Sequence, residues 1–246
     1  MIEKKELVID FHSHILPKID DGSDSSKTSI EMLTRSKQYG VDVMIATPHF
    51  YGHRHSLDHF LEKRAASAER LRSRVSPELP KFLLGAEVAF YSGIDELENL
   101  ESLCIEGTNL LLLEMPFTSW SGYEIDTLSS LALDRNVQII LAHFERFYDM
   151  QKDQNILQKV LELPVYIQIN AGTLLSFWRR KRWLDWFENG KAHLLGSDCH
   201  NLGERAPNLG QAREIIHKKL GSHVLKRIDN TGTDLIKKAV YPIGQN

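Results

Sequence analysis

Residues 10–24 read DFHSHILPKIDDGSD and follow the apolar run Leu7, Val8, Ile9. Alternate residues of a strand share a face, so His12 and His14 would present both imidazoles to one side. Two adjacent aspartates, Asp20 and Asp21, follow within the same turn. That much polarity where a buried strand ends reads either as a solvated turn or as the start of a metal site.

The same event recurs along the chain. Short apolar runs occur at 6–11 (ELVIDF), 41–47 (VDVMIAT), 81–88 (KFLLGAEV), 109–115 (NLLLLEM), 137–143 (VQIILAH), 165–170 (VYIQIN) and 192–198 (AHLLGSD). Runs this apolar suit strands buried on both faces, as in a parallel sheet. Between them lie helical patterns such as SSKTSIEMLTRSKQYG at 25–40 and SLDHFLEKRAASAERLRSRV at 56–75. Seven β-then-α units in succession predict an α/β fold, a (β/α) barrel of parallel strands, closed or distorted. With no Gly- or Pro-rich linker, residues 1–246 are expected to form a single domain. The ends of these runs carry His12 and His14, His49, Glu87, Glu114, His143, Asn170, and Asp198 with His200. In a barrel such ends meet on one face. Each residue alone has a structural explanation, but so many ionisable groups packed together demand a compensating cation.

Composition narrows the function. The 246 residues are 42% hydrophobic and 26% charged, with formal net charge -3, which gives no broad basic face for nucleic acid. No apolar run approaches the roughly 20 residues of a membrane span, and no secretory leader is evident, so a cytoplasmic protein without membrane insertion is expected. Cys104 and Cys199 are too few for a disulfide framework, and no thiolate cluster exists for a structural zinc. The mixed nitrogen and oxygen donors suit Mn, Fe or Zn.

The opening segment, with TPH at 47–49, GAEV at 85–88, AHFER at 142–146 and GSDCHN at 196–201, resembles the PHP (polymerase and histidinol phosphatase) superfamily. Within it, the chain is similar to the bacterial manganese-dependent protein-tyrosine phosphatases encoded with capsule and exopolysaccharide genes. The resemblance implies a distorted (β/α)7 barrel holding three divalent or trivalent metal ions, Mn foremost with Fe or Zn as alternatives. It also implies hydrolysis of phosphotyrosine on a partner protein, a tyrosine autokinase of polysaccharide export, with recruitment to that membrane-associated kinase. Carried onto matching positions, a first metal takes His12, His14, Glu87 and Asp198; Glu87 bridges to a second held by Glu114 and His143; a third takes Asp21, His49 and His200. Arg146 and Arg205 match phosphate-binding arginines, and Asp20 is expected to support a ligand or a backbone amide. On this scheme a metal-activated hydroxide attacks phosphorus in line while the arginines hold the equatorial oxygens.

Competing readings exist. CHNLGER at 199–205 has the bare Cys-x5-Arg spacing of cysteine-dependent tyrosine phosphatases, but the carboxylate of Asp198 beside Cys199 would raise the thiol pKa rather than lower it. His53, His55 and His59 read as a loop entering a helix. FWRRKRWLDWF at 177–187 is either a helix with a solvated basic face and an aromatic inner face, or a dock for an acidic peptide or a membrane-associated kinase. A PHP phosphatase for histidinol phosphate and a non-catalytic metal-binding PHP module remain alternatives to the tyrosine phosphatase.

Overall fold

The computed structural model describes residues 6–240. Among them nine strands run β1 (Ile9–Ser13), β2 (Val43–Ala46), β3 (His49–Phe50), β4 (Lys81–Leu84), β5 (Glu87–Ala89), β6 (Leu110–Glu114), β7 (Gln138–Leu141), β8 (Val165–Asn170) and β9 (Leu194–Gly196). Every pairing is parallel, in the orders β1-β2-β4 and β3-β5-β6-β7-β8-β9. A single bridge, Ser13 to Cys199, brings the first strand back to the last. The result is a curled, incompletely closed barrel of parallel strands.

Two of the seven expected strands are broken. The run at 41–47 stops at Ala46, because Pro48 has no amide hydrogen for the ladder, and the chain resumes as β3. The run at 81–88 breaks at Gly85 and Ala86 between β4 and β5. Both breaks fall at the same level, since Ala46 pairs with Leu84 below them and His49 with Glu87 above. Below the break β4 has no partner strand on its far side among the described residues; Glu106 N donates to Leu84 O at 2.6 Å there, and buried Ile105 fills the wall.

Alternate residues of the strands enter different clusters. Met44, Leu111, Leu113, Ile139, Leu141 and Ile167 pack with helical Leu33, Leu71, Leu128, Val160 and Trp186. Their neighbours Val43, Ile45, Leu110, Leu112, Ile140 and Leu194 pack with Ile236 and Val240. Burial on both faces is why the runs are continuously apolar.

The connections are helical, and their starts are written in the sequence. Ser25 caps α1 (Ser26–Gln38), Ser56 caps α2 (Leu57–Arg72), and Ser121 with Glu124 forms a capping box on α3 (Gly122–Leu133). A short α4 (Glu145–Tyr148) precedes α5 (Gln154–Glu162), α6 (Ala171–Leu175), α7 (Arg180–Glu188) and α8 (Leu209–Leu220). The last described helix, α9 (Ser222–Val240), runs through Gly232, where a Cβ would lie 2.9 Å from the Phe11 ring. No helix among the described residues is long and apolar enough to cross a membrane.

Gly196 ends β9 against β1, and a Cβ there would stand 2.5 Å from His12 Cβ and 2.8 Å from Gln168 Nε2. Gly196→Ala is therefore expected to cost about 1–3 kcal/mol of unfolding free energy by overpacking, read by urea denaturation. Gly122→Ala, where nothing lies within 4 Å of the new carbon, is the control and should not destabilise.

Candidate metal centre

The strand ends converge as the sequence implies. His12 and His14 are fully buried, with Nε2 atoms 3.1 Å apart. Glu87 Oε2 is 3.2 Å from each of these nitrogens, and Asp198 Oδ1 is 3.6 Å from His12 and 3.5 Å from His14. Ligands about 2.1 Å from a tetrahedral ion stand about 3.4 Å from one another, so this set has the spacing of a coordination shell. Glu87 Oε2 is buried yet has no hydrogen-bond partner, although imidazole nitrogens surround it. A cation would satisfy that oxygen, and the residues present fit one.

Further donors adjoin this set. His143 Nε2 lies 2.8 Å from Glu87 Oε1 and 3.2 Å from Glu114 Oε1. His49 Nε2 and His200 Nε2 each lie 3.4 Å from Asp21 Oδ1, and His49 Nδ1 is 2.9 Å from Glu87 Oε2. Donor atoms of His14, Asp21, His49 and His200 all fall within 4.8 Å of one another, so His14 borders two sets rather than one. The sets differ in access: the Asp21 side chain is 63% exposed, whereas His12 is 0%.

The imidazoles are held from behind. His14 Nδ1 donates to Asp20 Oδ2 at 2.8 Å, and that carboxylate also accepts from the amides of His49 and Gly22. His12 Nδ1 faces Gln168 Oε1 at 3.3 Å, and His200 Nδ1 donates to the Asp198 carbonyl at 3.0 Å. With Nδ1 engaged, each ring turns Nε2 toward the cluster. Gln168 also accepts from the His143 amide and donates to Asn170, whose Nδ2 donates to Asp198 Oδ2 at 2.9 Å. Gly22 leaves room for this turn, since a Cβ there would meet the His14 carbonyl at 2.4 Å. His143 and Asp198 take positive φ, 29° and 54°. Backbone strain of this kind persists only where its surroundings impose it, and it concentrates at functional sites.

Both arginines reach the centre at Asp198. Arg205 Nη2 donates to Oδ1 at 2.8 Å, and Arg146 Nη2 donates to Oδ2. Together with Glu145, Asn170, Thr173 and Arg179 they line a cleft of about 210 Å³.

The electrostatics follow from crowding carboxylates and imidazoles out of water. Burial opposes charge on His14, but its hydrogen bond to Asp20 and the adjacent Glu87 carboxylate outweigh it and push the pKa up to about 10. His143 rises to about 9 by the same balance against Glu114 and Glu87. Burial and the adjacent His14 charge hold His200 down at about 4. Burial would raise Asp198, yet His12, His14 and Arg146 keep it well below the usual carboxylate range. Cys199 is fully buried, and burial together with Asp10 and Asp198 pushes its thiol well above the usual value. It cannot supply the thiolate that a cysteine phosphatase needs.

The nine residues that the sequence offers as ligands lie in this one assembly, and Asp20 hydrogen-bonds the His14 ring and the amides of His49 and Gly22. His53, His55 and His59 are exposed in the turn before α2 and on its first turn. Sequence reasoning missed Gln168 and Asp10. Each stands two residues from a noticed polar position on the same strand face, Asn170 and His12, which was the available signal. Asp10 accepts from the Ser197 amide at 2.8 Å and is raised to about 6 by burial.

A parallel barrel with His and carboxylate donors clustered at its strand ends is the architecture of a metal-dependent hydrolase. A sequence model of the capsular polysaccharide synthesis CpsB/CapC family matches residues 8–236, and the chain belongs to that family. It is 30% identical over 237 residues to the tyrosine-protein phosphatase CpsB of Streptococcus pneumoniae, covering 90% of this chain and 94% of that one. It is 29% identical over 226 residues to the tyrosine-protein phosphatase YwqE of Bacillus subtilis, covering 88% and 87%. A crystal structure from the study of YwqE and CpsB, described as metal-dependent tyrosine phosphatases, superposes with a TM-score of 0.77 at 25% identity over 94% of each chain.

Two outcomes follow for this site. A ligating imidazole must be neutral, so metal binding at pH 7.5 should displace protons from His14 and His143, and from His49, which neighbouring Glu87 also raises; calorimetry in buffers of different ionisation enthalpy should read net proton release, and affinity should rise with pH. Asp20→Asn, which weakens the hold on His14 Nδ1, should lower metal affinity about 10–100-fold with the fold intact by circular dichroism.

Proposed function

We propose that this chain is a metal-dependent protein-tyrosine phosphatase that dephosphorylates a tyrosine autokinase of polysaccharide export, working in the cytoplasm at the membrane-associated kinase. The observation that carries the reading is the position of Asp198. One of its oxygens borders the His12, His14 and Glu87 donors while both arginines grip the same carboxylate. An oxyanion seated beside that carboxylate reaches the metal set and the guanidinium groups together. The assignment is His12, His14, Glu87 and Asp198 to one ion, Glu87, Glu114 and His143 to a second, and Asp21, His49 and His200 to a third, with manganese as the expected metal.

Bound there, divalent cations lower the pKa of water and neutralise phosphate and leaving-group oxygens. Arg146 and Arg205, each more than one-third exposed, orient the phosphate from the solvent side through a planar array of donors. Tyr51 stacks on His49 at 5.3 Å, and half-exposed Phe117 stacks on His143 at 6.1 Å, so aromatic faces flank the mouth where a phenyl ring would enter. Burial and the neighbouring carboxylates push Tyr51 up to about 12, which keeps it a neutral phenol.

The test is turnover of a phosphotyrosyl peptide and of histidinol phosphate by chelator-stripped protein, with and without added Mn. Activity should require metal, fall more than about a hundredfold in His14→Ala, and stay within about threefold of wild type in Cys199→Ser. Loss of turnover in Cys199→Ser with metal still bound would overturn the metal mechanism. Preference for histidinol phosphate would overturn the substrate assignment.

A further inference from the structure

The segment FWRRKR at 177–182 is unexplained by packing or by the chemistry above. Trp183, Trp186 and Phe187 of α7 are buried, so the helix meets its apolar requirement with those residues. Phe177 and Trp178 stand outside, 67% and 88% exposed. Neighbouring aromatics left this open mark an interaction surface. They are also arranged: the rings meet edge to face at 5.4 Å, and the Arg180 guanidinium lies 4.9 Å over Phe177.

Beside them lies a cleft of about 480 Å³ whose walls include Asp149, Trp178, Arg179, Lys181, Arg182 and Trp183. Arg179 is also a wall of the 210 Å³ cleft at Arg146, Arg205 and Asp198, so the two concavities adjoin through one side chain. The charges are not equivalent. Asp149 is paired with Arg182, whose guanidinium lies 5.0 Å over Tyr148, and Asp185 accepts from Asn189. Arg179 and Lys181 are exposed and, among the described residues, carry no ion pair. Asp185 is a further wall, and its carboxylate has no ion pair among the described residues, so Arg179 and Lys181 exceed it by one and the cleft is left with a net positive charge next to an open indole.

We propose that this second cleft binds the polypeptide flanking the phosphotyrosine: an acidic segment that crosses Arg179, pairs with Lys181 and sets an apolar side chain against Trp178. The inference rests on the phosphatase reading and adds its substrate class, a phosphotyrosine embedded in acidic sequence. Continuity with the catalytic cleft favours a peptide over an anionic membrane, which has no reason to follow a groove into the site. Remote contacts of this kind, made equally in the ground and transition states, lower KM rather than raise kcat.

The experiment compares p-nitrophenyl phosphate with two phosphotyrosyl peptides of equal length, one flanked by Asp and Glu and one by Lys, using the Mn-loaded chain. Wild type should prefer the acidic peptide. Trp178→Ala combined with Lys181→Glu should raise KM for it about tenfold with kcat little changed, and leave p-nitrophenyl phosphate turnover within twofold. Equal turnover of both peptides, insensitive to the substitutions, would overturn the groove and leave the phosphatase reading standing. Turnover of p-nitrophenyl phosphate with neither peptide cleaved would overturn the protein-tyrosine part of that reading, and the proposal with it. Sedimentation with phosphatidylglycerol vesicles that is lost in Trp178→Ala, with peptide KM unchanged, would make the patch a membrane contact and overturn the proposal.

Discussion

Glu87 is a carboxylate taken almost wholly out of water, and the rest of the site is built around that fact. Isolated burial of such a charge is prohibitively costly, so it must be compensated within contact distance. Its oxygens meet nitrogens of His12, His14, His49 and His143, contributed by three separate strands or the residues just past them, β1, β3 and β7. Because those partners arrive from different parts of the chain, only a fold that brings all the strand ends to one rim can provide them. Charge compensation and barrel topology are in this sense one requirement.

The breaks in the wall serve that requirement. A regular pair of strands would carry the 43–50 and 81–89 segments straight through. Interrupting both at one level keeps their register and lets the upper pieces lean toward β6, so His49 lies opposite Glu87 and Glu87 opposite Leu112. The cost is a gap below, closed by Ile105 and the Glu106 amide. Strained backbone at His143 and Asp198 belongs to the same account, since a donor at the very end of a strand is aimed by bending the chain there.

Much of this was legible in the sequence, for identifiable reasons. Apolar runs ending in His, Glu or Asp report a buried strand and a polar rim together, so most of the donors could be named from residue type and position; Asp21, in the turn beyond β1, and the sharing of donors among three ions came only from the resemblance. The breaks were less legible: Pro48 and Gly85 are present, but neither residue says whether a strand ends or merely kinks. Gln168 and Asp10 were hidden because an amide or a carboxylate within a strand has no signature of its own, and only the partners brought by β1, β7 and β9 give it meaning. The aromatic segment at 177–187 carried both of its readings at once. Its inner residues pack and its leading pair does not, a division set by where α7 begins rather than by composition.

The single bridge between Ser13 and Cys199 gives the barrel a seam, and the donor set straddles it. His12 and His14 stand on one side, Asp198 and His200 on the other, with the Asp198 amide donating across to the His12 carbonyl at 2.8 Å. A cation held by both sides acts as a rivet between the first strand and the last, closing a loop that spans most of the chain, as a long-range cross-link does. Metal occupancy would then add to the backbone hydrogen bonds that already join the seam, so that loading the centre would also brace the barrel.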